Sequence, residues 1–172
     1  MDIEFLIKKA KKGDREALLT LIMERKNEHY RLAYAYLNNQ EDALDAMEDM
    51  ILRIYDKIHQ LKKPKAFYSW SNTILVNCCR DILRKKKKLV LLESYGEEVY
   101  MECYEQSEQQ LDLEKYLVRL NPDQQEALRL RYFLDLDYQT IAELTSVPLG
   151  TVKSRIANGL KKLKESFGGV YE

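Results

Sequence analysis

The chain has 172 residues, enough for one ordinary domain or two small ones, and its 45% hydrophobic and 33% charged residues are typical of a soluble globular protein. With only 6 glycines and 3 prolines, a many-stranded sheet is disfavoured, and the 28 basic and 28 acidic side chains cancel to a formal net charge of +0. No apolar run is long enough to span a bilayer and the N-terminus has no secretory signal, so we expect a cytoplasmic protein that is not itself a membrane protein.

The first half of the chain, from Ile3 to about Lys88, repeats apolar residues at the three- and four-residue steps of amphipathic helices. Gly13 followed by Asp14 predicts the end of one helix and the N-cap of the next. A break is predicted at residues 38–40, and residues 41–61 predict a long helix with a broad apolar face. We expect that face to contain Ala43, Met47, Met50, Leu52, Ile54 and Ile58.

Two segments interrupt the helical pattern. Lys63-Pro64-Lys65 predicts a loop, because proline disfavours helix in the residue before it. From residue 89 to about 110 the periodicity fades into glutamates and tyrosines without Lys or Arg, which predicts a flexible acidic linker. The sequence therefore predicts an all-α protein with two small helical domains, residues 1–88 and 111–172, joined by the linker at 89–110.

The second domain has well-marked helix ends. Asn121 is a predicted N-cap, and Gln124 is placed to reach back to it as in a capping box. Asp137 predicts the cap of a short helix, and residues 146–150 predict a tight turn. Thr151 is then predicted to cap the last helix. The predicted inward face of that helix contains Val152, Ile156, Leu160 and Leu163.

The charged residues are strongly segregated, although their total cancels. One basic pole lies at the end of the first domain and the other in the last predicted helix. The poles contain Arg80, Arg84 and Lys85 to Lys88 in the first case, and Lys153, Arg155, Lys161, Lys162 and Lys164 in the second. Because a local basic patch matters more to a polyanion than the net charge, both poles are candidates for nucleic-acid contact.

The last two predicted helices have the pattern of a helix-turn-helix: a short turn, the small Ala142 where the helices cross, and a cationic outer face on the second helix. When Val152 and Ile156 face inward, the helical period turns other side chains outward, toward a major groove. These outward residues are Lys153, Ser154, Ala157 and Asn158. A helical hairpin with a solvated lysine face is the alternative, but the cap, the turn and the small crossing residue together favour DNA binding.

The first basic pole follows a group of aromatic and amide side chains. The group comprises Phe67, Tyr68, Trp70, Asn72 and Asn77, with Arg80 beside them. Aromatic rings next to cations suit unstacked single-stranded bases as well as a phosphate backbone. On composition alone, core aromatics and a lysine run that only solubilises its helix explain the pattern at least as well.

The spacing of the cysteines and histidines favours neither a disulfide framework nor a zinc site. We expect reduced thiols, with the adjacent Cys78 and Cys79 buried, and a cysteine sensor is the weaker alternative. His29 and His59 are isolated, and no glycine-rich phosphate loop or nucleophile with a base occurs. The sequence therefore predicts no catalytic residue, no metal site and no cofactor.

Two groups of motifs resemble the extracytoplasmic-function (ECF) sigma factors of bacterial RNA polymerase. The first group resembles the second conserved region of that family and consists of residues 11–18, residues 41–55, and Trp70 with Asn77 and Asp81 to Arg84. The second group resembles the fourth region and consists of residues 120–133, 138–143 and 150–156. Both resemblances run in the family's order and together cover nearly all of the chain outside the linker.

The resemblance implies an alternative sigma factor, a non-enzymatic protein that binds core RNA polymerase and directs initiation at promoters with particular minus-ten and minus-thirty-five elements. In such proteins the helix from Asp42 to about Ile58 docks on the clamp helices of the large polymerase subunit. The residues expected to bind there are Asp45, Glu48, Asp49 and Leu52. Three carboxylates within one helical turn suit basic residues on such a partner, and Leu52 supplies an apolar contact.

The resemblance also implies which residues contact promoter DNA. The loop before the Trp70 helix, residues 63–69, is expected to capture a base flipped from the melted non-template strand. The expected minus-ten residues are Lys63, Lys65, Phe67, Trp70, Asn77, Arg80 and Arg84. The expected minus-thirty-five residues are Thr151, Lys153, Ser154, Arg155, Ala157 and Asn158.

The expected partners are core RNA polymerase, promoter DNA as duplex and as melted non-template strand, and an anti-sigma factor, which in this family is commonly membrane-anchored. Two alternatives stay open. A helix-turn-helix regulator acting without polymerase core binding would leave the pattern of residues 42–55 unexplained. A small helical enzyme or metal protein would need clustered ligands or nucleophiles, which the sequence does not show.

Overall fold

The structure, a computed structural model, describes residues 2–93 and 114–168. Helices cover most of these two ranges, and neither range contains a strand. The chain divides into two compact units, Met1–Lys87 (unit 1) and Lys88–Glu172 (unit 2). The predicted class, two helical domains in an all-α protein, is confirmed. Of the predicted linker, residues 89–93 are helical, and the remainder lies outside the described residues.

Unit 1 is built from five α-helices, and the fifth helix continues beyond Lys87, the last residue of the unit. They are α1 (Ile3–Lys11), α2 (Arg15–Glu24), α3 (Lys26–Leu37), α4 (Gln40–Lys57) and α5 (Phe67–Glu93). Short 3-10 helices at Ile58–Gln60 and Pro64–Ala66 connect α4 to α5. Helix α1 packs against α2, and α3 packs against α4.

Two helix boundaries of unit 1 form where the sequence predicts them, whereas the break between α2 and α3 at Arg25 was not predicted. Gly13 adopts φ +92°, a left-handed conformation that glycine tolerates best. Asp14 then caps α2 by accepting a 3.0 Å hydrogen bond from the N–H of Ala17. Asn38 closes α3 in the left-handed region, and Asn39 caps α4 through the N–H of Asp42. These polar caps satisfy backbone groups that the helix cannot pair itself.

The core of unit 1 confirms most of the predicted apolar face of α4. Ala43, Met47, Met50, Ile54 and Ile58 are buried there, together with Phe67, Leu75 and Val76 of α5. Leu52 is the exception, because 64% of its surface is exposed. Each residue advances about 100° around a helix, so Leu52 points away from its neighbours Met50 and Ile54. Its predicted membership of the core face is wrong, and its side chain lies free for a partner.

Unit 2 contains a helical turn at residues 114–117 followed by three helices: α6 (Pro122–Tyr132), α7 (Tyr138–Thr145) and α8 (Leu149–Gly168). Helix α8 packs against both α6 and α7. As predicted, Asn121 caps α6 by accepting from the N–H of Gln124 at 2.8 Å. Gln124 does not reach back, because its side chain is buried. Gln125 instead donates to the carbonyl of Leu120 at 2.9 Å.

The turn between α7 and α8 keeps a regular geometry without glycine. Ser146 stands in the left-handed region at φ +58°. Its N–H donates to the carbonyl of Glu143 at 3.3 Å, and the N–H of Val147 donates to that of Ala142 at 3.1 Å. This pair of bonds is the Schellman motif, which reverses the chain after a helix. The predicted tight turn is therefore present, with a serine in the position that glycine usually occupies.

Helix α8 differs from its prediction at two points. It begins at Leu149, so Thr151 lies within the first turn, donates its N–H to the carbonyl of Pro148 at 2.9 Å, and is not the N-cap. Leu160, predicted to face inward, is 41% exposed, and Gly159 is buried in its place. A Cβ on Gly159 would lie 2.9 Å from Cδ1 of Leu128. The side chain of Leu128 in α6 therefore packs against Gly159, and Leu160 lies on the exposed side of the helix.

Candidate nucleic-acid interface

The outer face of α8 presents the residues predicted to enter a major groove. Lys153, Ser154, Ala157 and Asn158 are all exposed, whereas Val152 and Ile156 beneath them are almost completely buried. Asn158 Nδ2 lies 3.4 Å from Ser154 Oγ, so the two polar side chains are adjacent. This surface offers a cation, a hydroxyl, an amide and a methyl group, the group types that read base edges.

Arg155 and Thr151 are placed differently from those four residues. Arg155 Nη2 donates to Oδ2 of Asp123 at 2.9 Å, and 23% of the arginine side chain is exposed. The pair joins α8 to the first turn of α6, whose N-terminal end favours a carboxylate. Arg155 is therefore paired within unit 2, and Thr151, half-buried in the first turn, borders the exposed face.

The residues predicted for the minus-ten element divide between surface and core. Lys63, Lys65, Asn77 and Arg84 are exposed, and Trp70 and Arg80 are half-buried. Phe67 is completely buried, 6.3 Å from the Trp70 ring between centroids. We correct the prediction for Phe67: it supports the first turn of α5 from the core, because an apolar ring there gains more from burial than from solvent.

Ion pairs connect the basic pole of α5 to α4. Asp81 accepts from Arg53 Nη2 at 2.7 Å and also from Arg84. These arginines, Arg53 foremost, hold the pKa of Asp81 below its ordinary value. Lys86 donates to Asp42 in the first turn of α4. Part of the cationic charge that the sequence predicts for DNA is thus neutralised inside unit 1.

Tyr68, at the first turn of α5, is fixed by residues from the α2–α3 corner. Its hydroxyl donates to Glu24 Oε2 at 2.6 Å, and the guanidinium of Arg25 lies over its ring, 4.3 Å from the centroid. Burial and the bond to Glu24 raise the pKa of Tyr68 to about 12. The sequence places Tyr68 in an aromatic group, but Glu24 and Arg25 are more than forty residues away and carry no signal of this contact.

The exposed face of α4 carries the residues predicted to bind polymerase. Asp45 and Glu48 are exposed, Asp49 is half-buried, and Leu52 is the most exposed apolar side chain of the helix. Leu44 and Tyr55 are also exposed on this helix, at 42% and 39%. They extend the apolar part of the surface and were not among the predicted residues. Their spacing from Glu48 and Leu52, three or four residues, was the available signal.

In the ranges that the structure describes, the thiols and histidines do not form a site. Cys78 and Cys79 are buried and free, as predicted, and burial raises their pKa values to about 11 and about 12. His29 is completely buried with Nε2 3.3 Å from Ser71 Oγ, and burial lowers its pKa. Among the described residues, no group of three or more His, Cys, Asp or Glu side chains could hold a metal ion. Cys103 lies outside the described residues.

None of the helices in the described ranges is both long enough and apolar enough to cross a membrane.

Comparison with known proteins defines the class to which these two units belong. The family described as Sigma-70 region 2 matches residues 21–89, and that described as Sigma-70, region 4 matches residues 110–163. The first match covers most of unit 1, including the acidic face of α4 and the basic pole of α5. The second covers the helix-turn-helix of unit 2. Region 2 and region 4 in this order define a sigma factor.

Individual relatives agree with the two regional matches. RNA polymerase sigma factor SigV of Bacillus subtilis is 33% identical over 156 residues, covering 91% of this chain and 94% of the relative. ECF RNA polymerase sigma factor SigW of the same organism is 29% identical, covering 97% of both chains. The solved structure of sigma factor RpoE with the anti-sigma factor NepR from Bartonella quintana matches with a TM-score of 0.65, at 22% identity over 85% of this chain and 93% of that one.

The chain belongs to the ECF RNA polymerase sigma factors. Sigma factors are regulatory DNA-binding proteins that recognise promoters as part of RNA polymerase. The helix-turn-helix regulator that acts without polymerase is therefore not favoured, since such a protein has no use for a sigma region 2.

Proposed function

We propose that this chain is an alternative sigma factor whose unit 1 binds core polymerase and the minus-ten element, while unit 2 reads the minus-thirty-five element. One observation carries the proposal. The same chain presents an exposed acidic and apolar face on α4 and, on α8, an exposed helix face that can enter a major groove. The first suits a basic protein partner and the second suits duplex DNA. A protein with both surfaces connects polymerase to a DNA sequence.

Core polymerase binds the α4 face in this proposal. Asp45, Glu48 and Asp49 meet basic side chains, and Leu52 enters an apolar site on the partner. Leu52 is suited to that contact because its 64% exposed surface would leave water on binding. The carboxylates then direct orientation and choice of partner more than they add affinity, as charged groups at interfaces commonly do.

Strand opening takes place along the first turns of α5 and the loop before it. Melting costs base-stacking free energy, and capture of displaced bases offsets that cost. Lys63 and Lys65 supply exposed cations in the loop, while Trp70, Asn77, Arg80 and Arg84 follow along α5. Phe67 contributes indirectly by supporting Trp70 from the core.

Helix α8 reads the upstream element in the major groove. Lys153 and Ser154 point outward from its second turn with Ala157 and Asn158 one turn later. Thr151 and Arg155 lie beside the phosphate backbone, and Arg155 also donates to Asp123 of α6.

The chain acts without catalytic residues of its own, because polymerase performs the chemistry. It works in the cytoplasm, where polymerase and promoter DNA are found. Since the Bartonella quintana relative is bound to an anti-sigma factor, we infer that a protein of that kind holds this chain as well.

The proposal is tested by transcription from a promoter pool with purified core polymerase and the full chain. We expect promoter-specific initiation that depends on added protein. Replacing Asp45 and Glu48 by alanine should weaken core binding, measured by co-elution with core polymerase. Replacing Glu4 and Glu16, exposed carboxylates of α1 and α2, should not. Initiation that is equal without the protein, or tight sequence-specific duplex binding by the protein without core, would contradict the proposal.

A further inference from the structure

Helix α1 and the loop between α4 and α5 lie side by side in unit 1. Helix α1 packs against both short 3-10 helices of that loop. The side chain of Lys11 in α1 donates from Nζ to the backbone carbonyl of Leu61 in the loop, at 2.6 Å. This bond joins residues 50 positions apart. It places the last turn of α1 beside Lys62 and Lys63.

The side of α1 that faces the loop is cationic. Lys8 and Lys12 are four residues apart, so they lie on one side of the helix, next to Lys11. Both are exposed, as are Lys62 and Lys63 of the loop. Tertiary packing therefore assembles lysines from two distant segments into one basic surface. We call Lys8, Lys12, Lys62 and Lys63 the α1–loop surface.

The charges of the α1–loop surface are open. None of its four lysines forms an ion pair with a residue that the structure describes, and Glu4, one turn before Lys8, is not paired with it. Cations near the C-terminal end of a helix also favour its dipole, which accounts for Lys8 but not for the lysines of the loop. Unpaired cations from two segments, gathered on one side of unit 1, attract a polyanion.

We propose that the α1–loop surface is a phosphate-binding site, in which Lys8 and Lys12 hold the backbone of the melted strand next to the base captured by residues 63–69. The site rests on the proposed function, because it continues the path of that strand beyond Lys63. It adds helix α1, which precedes the residues 21–89 that match sigma region 2. Its ligand is the phosphodiester backbone, and an ammonium group that contacts phosphate does not read bases.

The chemistry of the four side chains favours a single strand. A strand that enters the loop continues past it, and its next phosphates release counterions when they meet fixed cations. Lysine is a compact charge on a flexible stem, so it can follow a backbone that lacks regular duplex geometry. We therefore expect the site to strengthen binding of the strand without a preference for its sequence.

The test uses holoenzyme assembled from core polymerase and the full chain, bound to a forked DNA with a non-template overhang. Lys8→Gln combined with Lys12→Gln should weaken binding by about 2- to 30-fold, the effect of two lost exposed ion pairs. The log–log salt slope should fall by about 1.4, since each phosphate contact of a single strand contributes about 0.7. Lys26→Gln combined with Arg31→Gln removes two exposed cations of α3 and is the matched control, which should change neither quantity.

Two modified overhangs identify the ligand. Methylphosphonate linkages remove the phosphate charge and keep the bases, so the difference between the wild type and the Lys8 and Lys12 variant should disappear on that fork. An abasic overhang keeps the phosphates and removes the bases. The full difference between the two proteins should persist there, because the site does not touch bases.

Equal binding of the natural fork by the wild type and the variant would overturn the site, and so would a difference that persists on the methylphosphonate overhang. Weaker binding of core polymerase by the variant would assign the lysines to a protein interface and would overturn it as well. Promoter-specific initiation by the wild type would in each case still support the proposed function. A wild type that fails to bind core polymerase would contradict the proposed function instead.

Discussion

Unit 1 and unit 2 differ in whether their candidate DNA-facing cations are paired with carboxylates of the protein itself. On α8, Lys153 is exposed and forms no ion pair with any described residue. In unit 1, by contrast, Arg84 is paired with Asp81 and Lys86 with Asp42. Arg155 on α8 is paired with Asp123, but the residues that face the groove are open, whereas two cations of the α5 basic pole are engaged with the protein itself.

The difference matches the two kinds of DNA that the units are proposed to bind. A major groove is present before the protein arrives, so a rigid and open helix face can read it directly. A melted strand exists only after stacking is lost. The paired cations of α5 must then exchange a protein carboxylate for a phosphate, which reduces the net gain from each contact. We therefore expect free unit 1 to bind DNA weakly and to depend on core polymerase for strand capture.

The largest expected effect tests whether the two units fold independently. Phe67→Ala removes a completely buried ring and should destabilise unit 1 by about 3–5 kcal/mol. Hydrogen exchange resolved by mass spectrometry should show faster exchange in α1 to α5 and unchanged exchange in α6 to α8. Phe5→Ala, at a ring that is 53% exposed, should cost at most about 0.5 kcal/mol. Equal acceleration in both units would show that they fold as one.

The open face of α8 is tested by Lys153→Ala combined with Ser154→Ala. Each direct base contact contributes about 1–3 kcal/mol of discrimination, so affinity for the upstream element should fall at least about fivefold. The measurement is holoenzyme binding to a duplex that the wild type selects from a random pool. Lys164→Ala, an exposed lysine near the end of the same helix, is the control. If both changes weaken binding equally, the lysines act only through charge.

A smaller effect concerns the buried histidine of unit 1. Burial lowers the pKa of His29 from its ordinary 6.5, so below pH 6.5 the unfolded chain binds a proton that the folded chain refuses. This contribution to stability is complete above pH 6.5 and falls with pH, by at most about 1.4 kcal/mol per pH unit.

Urea denaturation of unit 1 between pH 7.5 and 5.5 measures the slope. His29→Gln should flatten it, whereas His59→Gln, at an exposed position, should not. A wild-type slope that survives in the His29 variant would assign the effect to other groups.

The smallest effect concerns the turn of unit 2. Ser146→Gly should stabilise unit 2 by up to about 1 kcal/mol, because glycine adopts the left-handed conformation without the steric cost of a Cβ. Ser166→Gly, inside α8, should destabilise it by about 0.5–1 kcal/mol. Thermal unfolding compares the two variants, and a shift of the same sign in both would contradict the assigned turn geometry.

Local signals predicted most of the fold. Asp14, Asn121 and Asp137 cap helices as expected, since a cap depends on residues within one turn. The same reasoning failed at Thr151, where the carbonyl of Pro148 accepts the first helical bonds and the helix starts earlier. It also failed at Leu160, because periodicity alone does not show that Gly159, and not Leu160, packs against Leu128 of α6.

By itself, the sequence determined the all-α class, the two helical units, the exposed face of α8 and the family of the chain. These follow from periodicity, caps and motifs, which are local in the chain. Only the tertiary structure decided which charged and aromatic side chains have internal partners. Arg25 on Tyr68, Arg53 on Asp81 and Lys86 on Asp42 join residues 28 to 44 positions apart. Such contacts depend on how helices pack, and packing is a property of the folded chain rather than of any segment.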